Sequence, residues 1–376
     1  MGKMDHEIKK SEKYKKNIMQ TKVYIDANSS ILYGSFYVEG LKIIFGNKNV
    51  SFSNKYFNDG YSVGWNIRFV IVSKNSEKKK YFIHTNDTYV IDKNMYDWCD
   101  VYGHVNANFK YFPKNEYPKV VSLVPSFGIN IFGKCESIYV ALVTLLKSYK
   151  TILSRTEWNK YKEKLEVSIL KNVKHHFGRI IKNNRNRPKY NDYSKEVEVR
   201  DNYVFFQSTL WYSDEQNQND EKVNKRRLDF IRAVKQNNAI EFEGGLLADS
   251  TSSIEKFKDV VTFTRVSMSE WLTKTKESMV VFNTPAFWDC HGWKLGEYLA
   301  LGKCIISTPL SNDLPAPLEH GKQIHYVNSY EEMCEAVEYI RRNPDYRVKL
   351  ENGAREYWDK YGTPIKALGL LGINKV

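Results

Sequence analysis

Short apolar runs alternate with amphipathic stretches along most of the chain. Residues 22–26 read as a first strand. Residues 29–46 read as a loop and a helix, because Ile31, Phe36, Val38, Leu41, Ile43, Ile44 and Phe45 form a broad apolar face that Gly46 closes. Compact apolar runs at 50–53, 67–73, 80–84, 97–103 and 120–124 read as further strands. A helix over 137–149 and a charged helical stretch over 155–183 follow. The basic, proline-punctuated segment 174–200 marks the boundary between two halves.

In the second half, strands at 202–208, 239–243, 259–264, 279–282, 304–307 and 325–327 alternate with helices at 223–236 and 267–276 and with a short helix before Gly302. The polar stretch 212–221 reads as a loop, and Gly244-Gly245 ends the second strand. Ser329 is an N-cap whose capping box Glu332 completes, with Met333, Val337 and Ile340 on one face of the helix that follows. Residues 346–361 read as another helix. Such alternation predicts an α/β protein with doubly wound sheets, and 376 residues suit two domains. Ligands of such sheets lie beyond the carboxyl ends of the strands. In the first half that directs attention to the loop after Asp26, to Asp59-Gly60 and to His84-Thr-Asn-Asp87.

The most chemical stretch is 283–309, a strand end, a loop with Pro285 and Gly292, a short helix, and a buried strand ended by Pro309. Leu295 and Leu299 share one helix face, and Gly302 stands where a helix ends. The helix N-terminus offers unpaired N–H groups and a partial positive charge. Gly292 and Gly296 let a ligand come close to the backbone, and Lys294 adds a mobile cation. Together they suit a phosphate or diphosphate. Glu297, one turn in, suits hydroxyl groups such as those of a ribose, and Asp289 precedes it by eight positions.

Asp289-x7-Glu297, followed by Tyr-Leu-Ala-Leu-Gly-Lys-Cys-Ile-Ile-Ser, resembles the donor-binding segment of GT-B-fold glycosyltransferases, in particular the retaining, family 4-like branch. Cys290-His-Gly-Trp-Lys-Leu-Gly-Glu297 is similar to a subset of bacterial surface-polysaccharide enzymes. The likeness covers about the last 170 residues and departs from the family at Asp289, Lys303 and Cys304. It implies two Rossmann-like doubly wound domains facing a central cleft. The divisions are a basic lead 1–22, an acceptor domain 23–185, a linker 186–201, a donor domain 202–362 and a tail 363–376 that packs back on the first domain. It also implies transfer of a sugar from a UDP- or GDP-linked donor to a glycan or lipid-linked hydroxyl, with no further cofactor. Glu297 would bind ribose, Asp289 and His291 would lie near the sugar or a phosphate, and Lys294 would meet the leaving diphosphate. Gly292, Trp293, Leu295 and Gly296 would line the donor site, Arg226 or Arg227 would add a second cation, and Glu243 would touch the base or cap a turn. No Asp-x-Asp pair is present, so no metal is expected. Retention is favoured; an inverting enzyme would need a base such as Asp26 or Asp87. A nucleotide-sugar epimerase on the same fold and a polysaccharide- or nucleic-acid-binding protein without catalysis are the alternatives.

Charge refines the picture. Residues 1–202 hold 35 Lys+Arg against 20 Asp+Glu, and residues 203–376 hold 22 against 24, so the excess of +15 lies in the first half. That half is expected to face an anionic partner, such as an anionic membrane or a lipid-linked acceptor. Residues 182–189 resemble a nucleic-acid arm in charge, but no groove-reading helix or stacking signature accompanies them, so no nucleic acid is expected. Cysteines at 99, 135, 290, 304 and 334 are odd in number and form no Cys-x-x-Cys pair, which fits the cytosol and argues against disulfides or zinc. No run of about 18 apolar residues predicts a membrane span, and the polar lead is not expected to be a signal peptide.

Overall fold

The structure is a computed structural model that describes residues 21–153, 156–158, 164–166, 168–210, 218–248 and 257–374. The basic lead and most of the 212–221 loop lie outside the described residues.

The first unit contains β1 (Lys22–Asp26), α1 (Ile31–Phe45), β2 (Val50–Ser53), β3 (Ile67–Val72), β4 (Lys78–His84), α2 (Lys93–Trp98), β5 (Val101–His104) and β6 (Val120–Ser122). The strands form one sheet in the order β2-β1-β3-β4-β5-β6. The sheet is mixed: β3 runs antiparallel to both neighbours. Only the turn 73–77 joins it to β4, with Ser73 donating to the Glu77 carbonyl at 2.9 Å. A parallel crossover needs a dozen or more residues. All other pairings are parallel, so Asp26, His84, His104 and Ser122 end their strands along one edge. The strand expected at 97–103 is split. Asp92 caps α2 by accepting from Met95 N–H at 3.1 Å, and only the residues from Val101 join the sheet.

Next come α3 (Lys134–Leu153), a hairpin of β7 (Thr156–Trp158) and β8 (Lys164–Glu166), and α4 (Ile169–Phe177), whose helical path continues to Arg185. The hairpin overturns the single helix expected over 155–183.

The second unit contains β9 (Tyr203–Thr209), α5 (Gln218–Lys235), β10 (Glu241–Leu247), β11 (Val261–Thr262), α6 (Met268–Glu277), β12 (Val281–Asn283), α7 (Trp293–Leu301), β13 (Ile305–Ser307), β14 (His325–Tyr326), α8 (Tyr330–Arg342), α9 (Pro344–Tyr357) and α10 (Pro364–Leu370). β11-β10-β9 and β12-β13-β14 are each wholly parallel. They meet where Met279 N–H donates to the Tyr203 carbonyl at 2.8 Å. The combined order, β11-β10-β9-β12-β13-β14, is that of a Rossmann sheet, with its switch point between β9 and β12. Gly244 and Gly245 do not end β10, as expected, but lie within it. On α8, Ser329 caps as expected, but Glu332 reaches one residue further back, to Asn328 N–H at 2.7 Å.

The two Rossmann-like units share one buried cluster, in which Phe36 and Phe127 of the first meet Leu295, Leu299 and Trp358. Leu368 of α10 joins the same cluster, so the last helix packs on the first unit against α1. Among the described residues no helix is long and apolar enough to cross a membrane.

Candidate functional site

The strand–loop–helix–strand stretch lies at the switch point of the second sheet. β12 ends at Asn283, the loop runs to Gly292, and α7 ends at Gly302, whose left-handed φ of 60° suits its lack of a Cβ. Between the carboxyl ends of β9 and β12 and the start of α7 is a cavity of about 170 Å³. Ser208, Thr284, Arg227, Gly292, Trp293 and Lys294 are among its walls. Gly292 is the N-cap, so the first N–H groups of α7 border the same space.

Two cations flank this cavity. Lys294 Nζ donates to the Gln207 carbonyl and lies 4.6 Å from the Phe206 ring centroid. Burial pushes its ammonium down to about 7, helped by Arg227 and opposed by Glu297. Arg227 is buried and donates to the Thr209 carbonyl at 2.8 Å. Both arginines of the pair stand in the middle of α5, because that helix begins at Gln218 and not at residue 223 as the sequence pattern indicates. Arg226 is not a wall of the cavity; its charge faces Asp289, and burial lowers its pKa.

The loop itself is strained. Trp288 and Asp289 have φ of 56° and 53°, a left-handed region that costs each roughly 1–2 kcal/mol. Asn312 Nδ2 holds the Asp289 carbonyl at 3.1 Å, and Asn106 Oδ1 accepts from His291 N–H at 2.6 Å. Asp289 and the exposed Trp288 line a second cavity of about 520 Å³ in the cleft between the units. Asp313 of the second unit and Asn108, Tyr89 and Tyr111 of the first also line it, the two tyrosines stacked at 4.9 Å. The cleft is tied by Asp313 N–H to the Ala107 carbonyl at 2.7 Å and by Phe109 N–H to Asp313 Oδ2 at 2.6 Å. Sequence reasoning missed the 105–111 loop because it placed the strand before it too early. The Asn-x-Asn at 106 and 108 was the available signal.

Other predicted site residues fall elsewhere. Glu297 is not a wall of either cavity. It is buried and accepts from the Tyr193 hydroxyl at 3.1 Å, and burial pushes its carboxyl up to about 7 against Arg187, Tyr193 and Lys294. Leu295 is core. A Cβ on Gly296 would sit 2.0 Å from the Pro125 carbonyl oxygen, so the backbone that approaches Gly296 belongs to the first unit. Gly296→Ala is therefore expected to cost about 1–3 kcal/mol in urea unfolding, through overpacking at the joint between the units. Trp293 packs edge-on against Tyr33 at 4.9 Å and beneath the Arg187 guanidinium at 4.8 Å. The linker thus covers α7. His291 is buried with both ring nitrogens unpartnered, and burial pushes its pKa down to about 4. Glu243 is held by Lys274 and by the Tyr203 hydroxyl at 2.7 Å.

Of the two candidate bases, Asp26 is excluded by its surroundings. It is fully buried and accepts from Arg68 Nε at 2.6 Å, while Asp59 takes both terminal nitrogens of the same guanidinium at 2.6 and 2.8 Å. Asp87 stands in the loop after β4 with part of the residue open to water, while its carboxyl group packs beside the Cys290 thiol, and the loss of water around that carboxyl raises its pKa.

No protein-family model matches the chain, and no curated protein sequence matches it significantly. Among solved structures it is similar to a glycosyltransferase from Rickettsia africae ESF-5, at 14% identity over 76% of this chain, with a TM-score of 0.39. The matched part spans 65% of the Rickettsia protein's length. It is also similar to TarM, at 11% identity over 83% of this chain and 64% of that one, with a TM-score of 0.35. A third is a candidate UDP-N-acetylglucosamine 2-epimerase from Listeria monocytogenes, at 13% identity over 74% and 68%, with a TM-score of 0.35.

Proposed function

We propose that the chain is a glycosyltransferase that moves a sugar from a nucleotide diphosphate sugar to a hydroxyl of a glycan or lipid-linked acceptor, in the synthesis of a bacterial surface polysaccharide. One observation carries the reading: a cavity at the switch point of a Rossmann sheet, closed by the N-terminus of α7 and flanked by Lys294 and Arg227. In this reading the diphosphate lies in the 170 Å³ cavity. As the bond to the sugar breaks, negative charge grows on the leaving phosphate, and the α7 N–H groups and both cations stabilise it. These groups supply the positive charge without requiring a metal ion. The larger cavity, with Asp289, Asn108 and the aromatic faces of Trp288, Tyr89 and Tyr111, suits sugar rings, which stack on aromatics and hydrogen-bond to acids and amides. With Asp26 locked in an ion pair, Asp87 is the one earlier candidate left for an acceptor base. The Asp289-x7-Glu297 spacing favours the retaining course, in which no such base is needed.

The test is nucleotide binding by calorimetry with UDP, GDP and their sugars. Lys294→Ala and Arg227→Ala should each weaken the preferred nucleotide about 5- to 100-fold, since a charge-assisted hydrogen bond contributes roughly 1–3 kcal/mol. Unchanged affinity in both folded variants would rule out this cavity as the donor site. A pH dependence should accompany binding. An empty site holds Lys294 near 7, and a bound diphosphate favours its protonated form and raises that value. Nucleotide binding at pH 8 should therefore take up protons, and affinity should fall as pH rises above 7. Calorimetry in two buffers of different ionisation enthalpy reads the uptake directly. It should vanish in Lys294→Ala.

A further inference from the structure

α3 is amphipathic in the wrong sense for a helix packed on a protein core. The face it buries carries Ser137, Val140, Ala141, Thr144 and Ser148. The face it exposes carries Ile138, Tyr139, Leu142, Leu146 and Tyr149, with Leu146 at 74% and Tyr139 at 66% exposure. Small and hydroxyl side chains lie inside, where Thr144 bonds back to the Val140 carbonyl at 2.7 Å, and the large apolar ones face out. α4 packs beside it and adds Ile169 and Leu170, at 60% and 82% exposure. An apolar patch of this extent marks a surface that contacts something else.

The charges around the patch indicate what that is. The stretches that carry the patch, residues 134–153 and 168–189, contain ten Lys+Arg and one acid, Glu136, a net of +9. Lys134, Lys150, Lys171 and Lys174 are exposed on α3 and α4 themselves, while Lys147 donates to the Phe52 carbonyl and Arg187 lies over Trp293. A second copy of the chain would bring the same cations against themselves. Residues 1–20 hold six lysines against three acids and add to the same positive charge. Beside α3 lies an additional cavity of about 750 Å³, with Ile131, Phe132 and Ile138 in its wall and Lys134, Arg185 and Lys189 among its basic lining residues. Apolar surface bordered by lysine and arginine is the pattern of an element lying in the interface of an anionic bilayer, with rings and aliphatic chains below the head groups and ammonium groups at the phosphates.

We propose that the exposed face of α3, with the start of α4, seats the protein on an anionic phospholipid bilayer. This inference stands on α3 and α4 alone and does not depend on the transferase reading.

The experiment is flotation of the full chain with vesicles of phosphatidylcholine alone and of phosphatidylcholine with about one quarter phosphatidylglycerol. Binding should be confined to the anionic vesicles and fall several-fold between about 0.1 M and 0.5 M salt, as screening shortens the reach of the lysines. L142S/L146D, which alters exposed positions only, should reduce binding at least tenfold while leaving the melting temperature and nucleotide affinity unchanged. K150E/K171E should reduce it several-fold and flatten the salt dependence. The proposal is overturned if the wild type binds neither vesicle, if it binds both equally, or if L142S/L146D floats as well as the wild type. It is also overturned if light scattering shows a dimer that L142S/L146D dissociates, since a second copy would then cover the face.

Discussion

Arg68→Met is expected to lower the unfolding free energy by about 3–5 kcal/mol, the loss typical of removing one partner from a buried ion pair. The guanidinium is fully buried and stands within 5.1–5.4 Å of the Phe57, Tyr61 and Trp98 ring centroids. Asp26, equally buried, has Arg68 as its ion-pair partner, while Asp59 is more open to water. In the variant Asp26 is left as an uncompensated carboxylate. Burial already raises its pKa against the pull of Arg68, and loss of Arg68 raises it further. A raised folded pKa means that stability falls as pH rises through it. The deficit of the variant should therefore be largest near neutral pH and shrink towards pH 4. Urea unfolding at several pH values measures this. Asp26→Asn combined with Arg68→Met should recover most of the loss, because no buried charge is then left unpaired. A single-variant deficit below about 1 kcal/mol would mean that Asp26 finds other solvation.

Glu297→Gln should stabilise the empty protein at pH 7 and above. The folded carboxyl sits near 7 and its ordinary value is 4.5. Between these values the folded chain holds a proton that the unfolded chain has lost. Stability of the wild type thus declines as pH rises from about 4.5 to about 7 and is flat beyond. The span corresponds to at most about 3 kcal/mol. Glutamine is neutral throughout, and its carbonyl oxygen can still accept from Tyr193. The difference between variant and wild type should be small at pH 4.5 and grow to about 1–3 kcal/mol by pH 7.5. Denaturant titrations across this range read it. A constant difference would show that Glu297 titrates at its ordinary value. Lys294, three residues earlier on α7, has the opposite sense: its lowered pKa makes stability rise with pH between about 7 and 10.5. The two effects together place a minimum in the stability of the empty protein near neutral pH.

Much of this molecule was legible from local pattern. The alternation of apolar runs indicated the α/β class. The stretch around Gly292 and Gly302 indicated a strand, loop, helix and strand in their observed order. Each rests on interactions within a few residues: a cap, a left-handed glycine, a repeat of 3.6. Lys294 followed from the same logic, since a cation in the first turn of a helix must lie near its N-terminus.

What the sequence could not decide is which distant groups meet. Asp26 stands at the end of a strand, where ligands often bind, yet Arg68, 42 residues later, neutralises it. Gly296 reads as room for a ligand, yet the Pro125 carbonyl fills that room. Glu297 reads as a hydroxyl acceptor, and Tyr193 of the linker supplies the hydroxyl. The second cavity joins Trp288 and Asp289 to a loop some 180 residues earlier, whose only sequence signal was a pair of asparagines. The outward apolar face of α3 was hidden too, because periodicity shows that a helix has an apolar side but not which way that side turns. Burial, charge pairing and facing direction are properties of the packed chain: each depends on the field and volume supplied by residues remote in sequence, and only the tertiary structure brings those residues together.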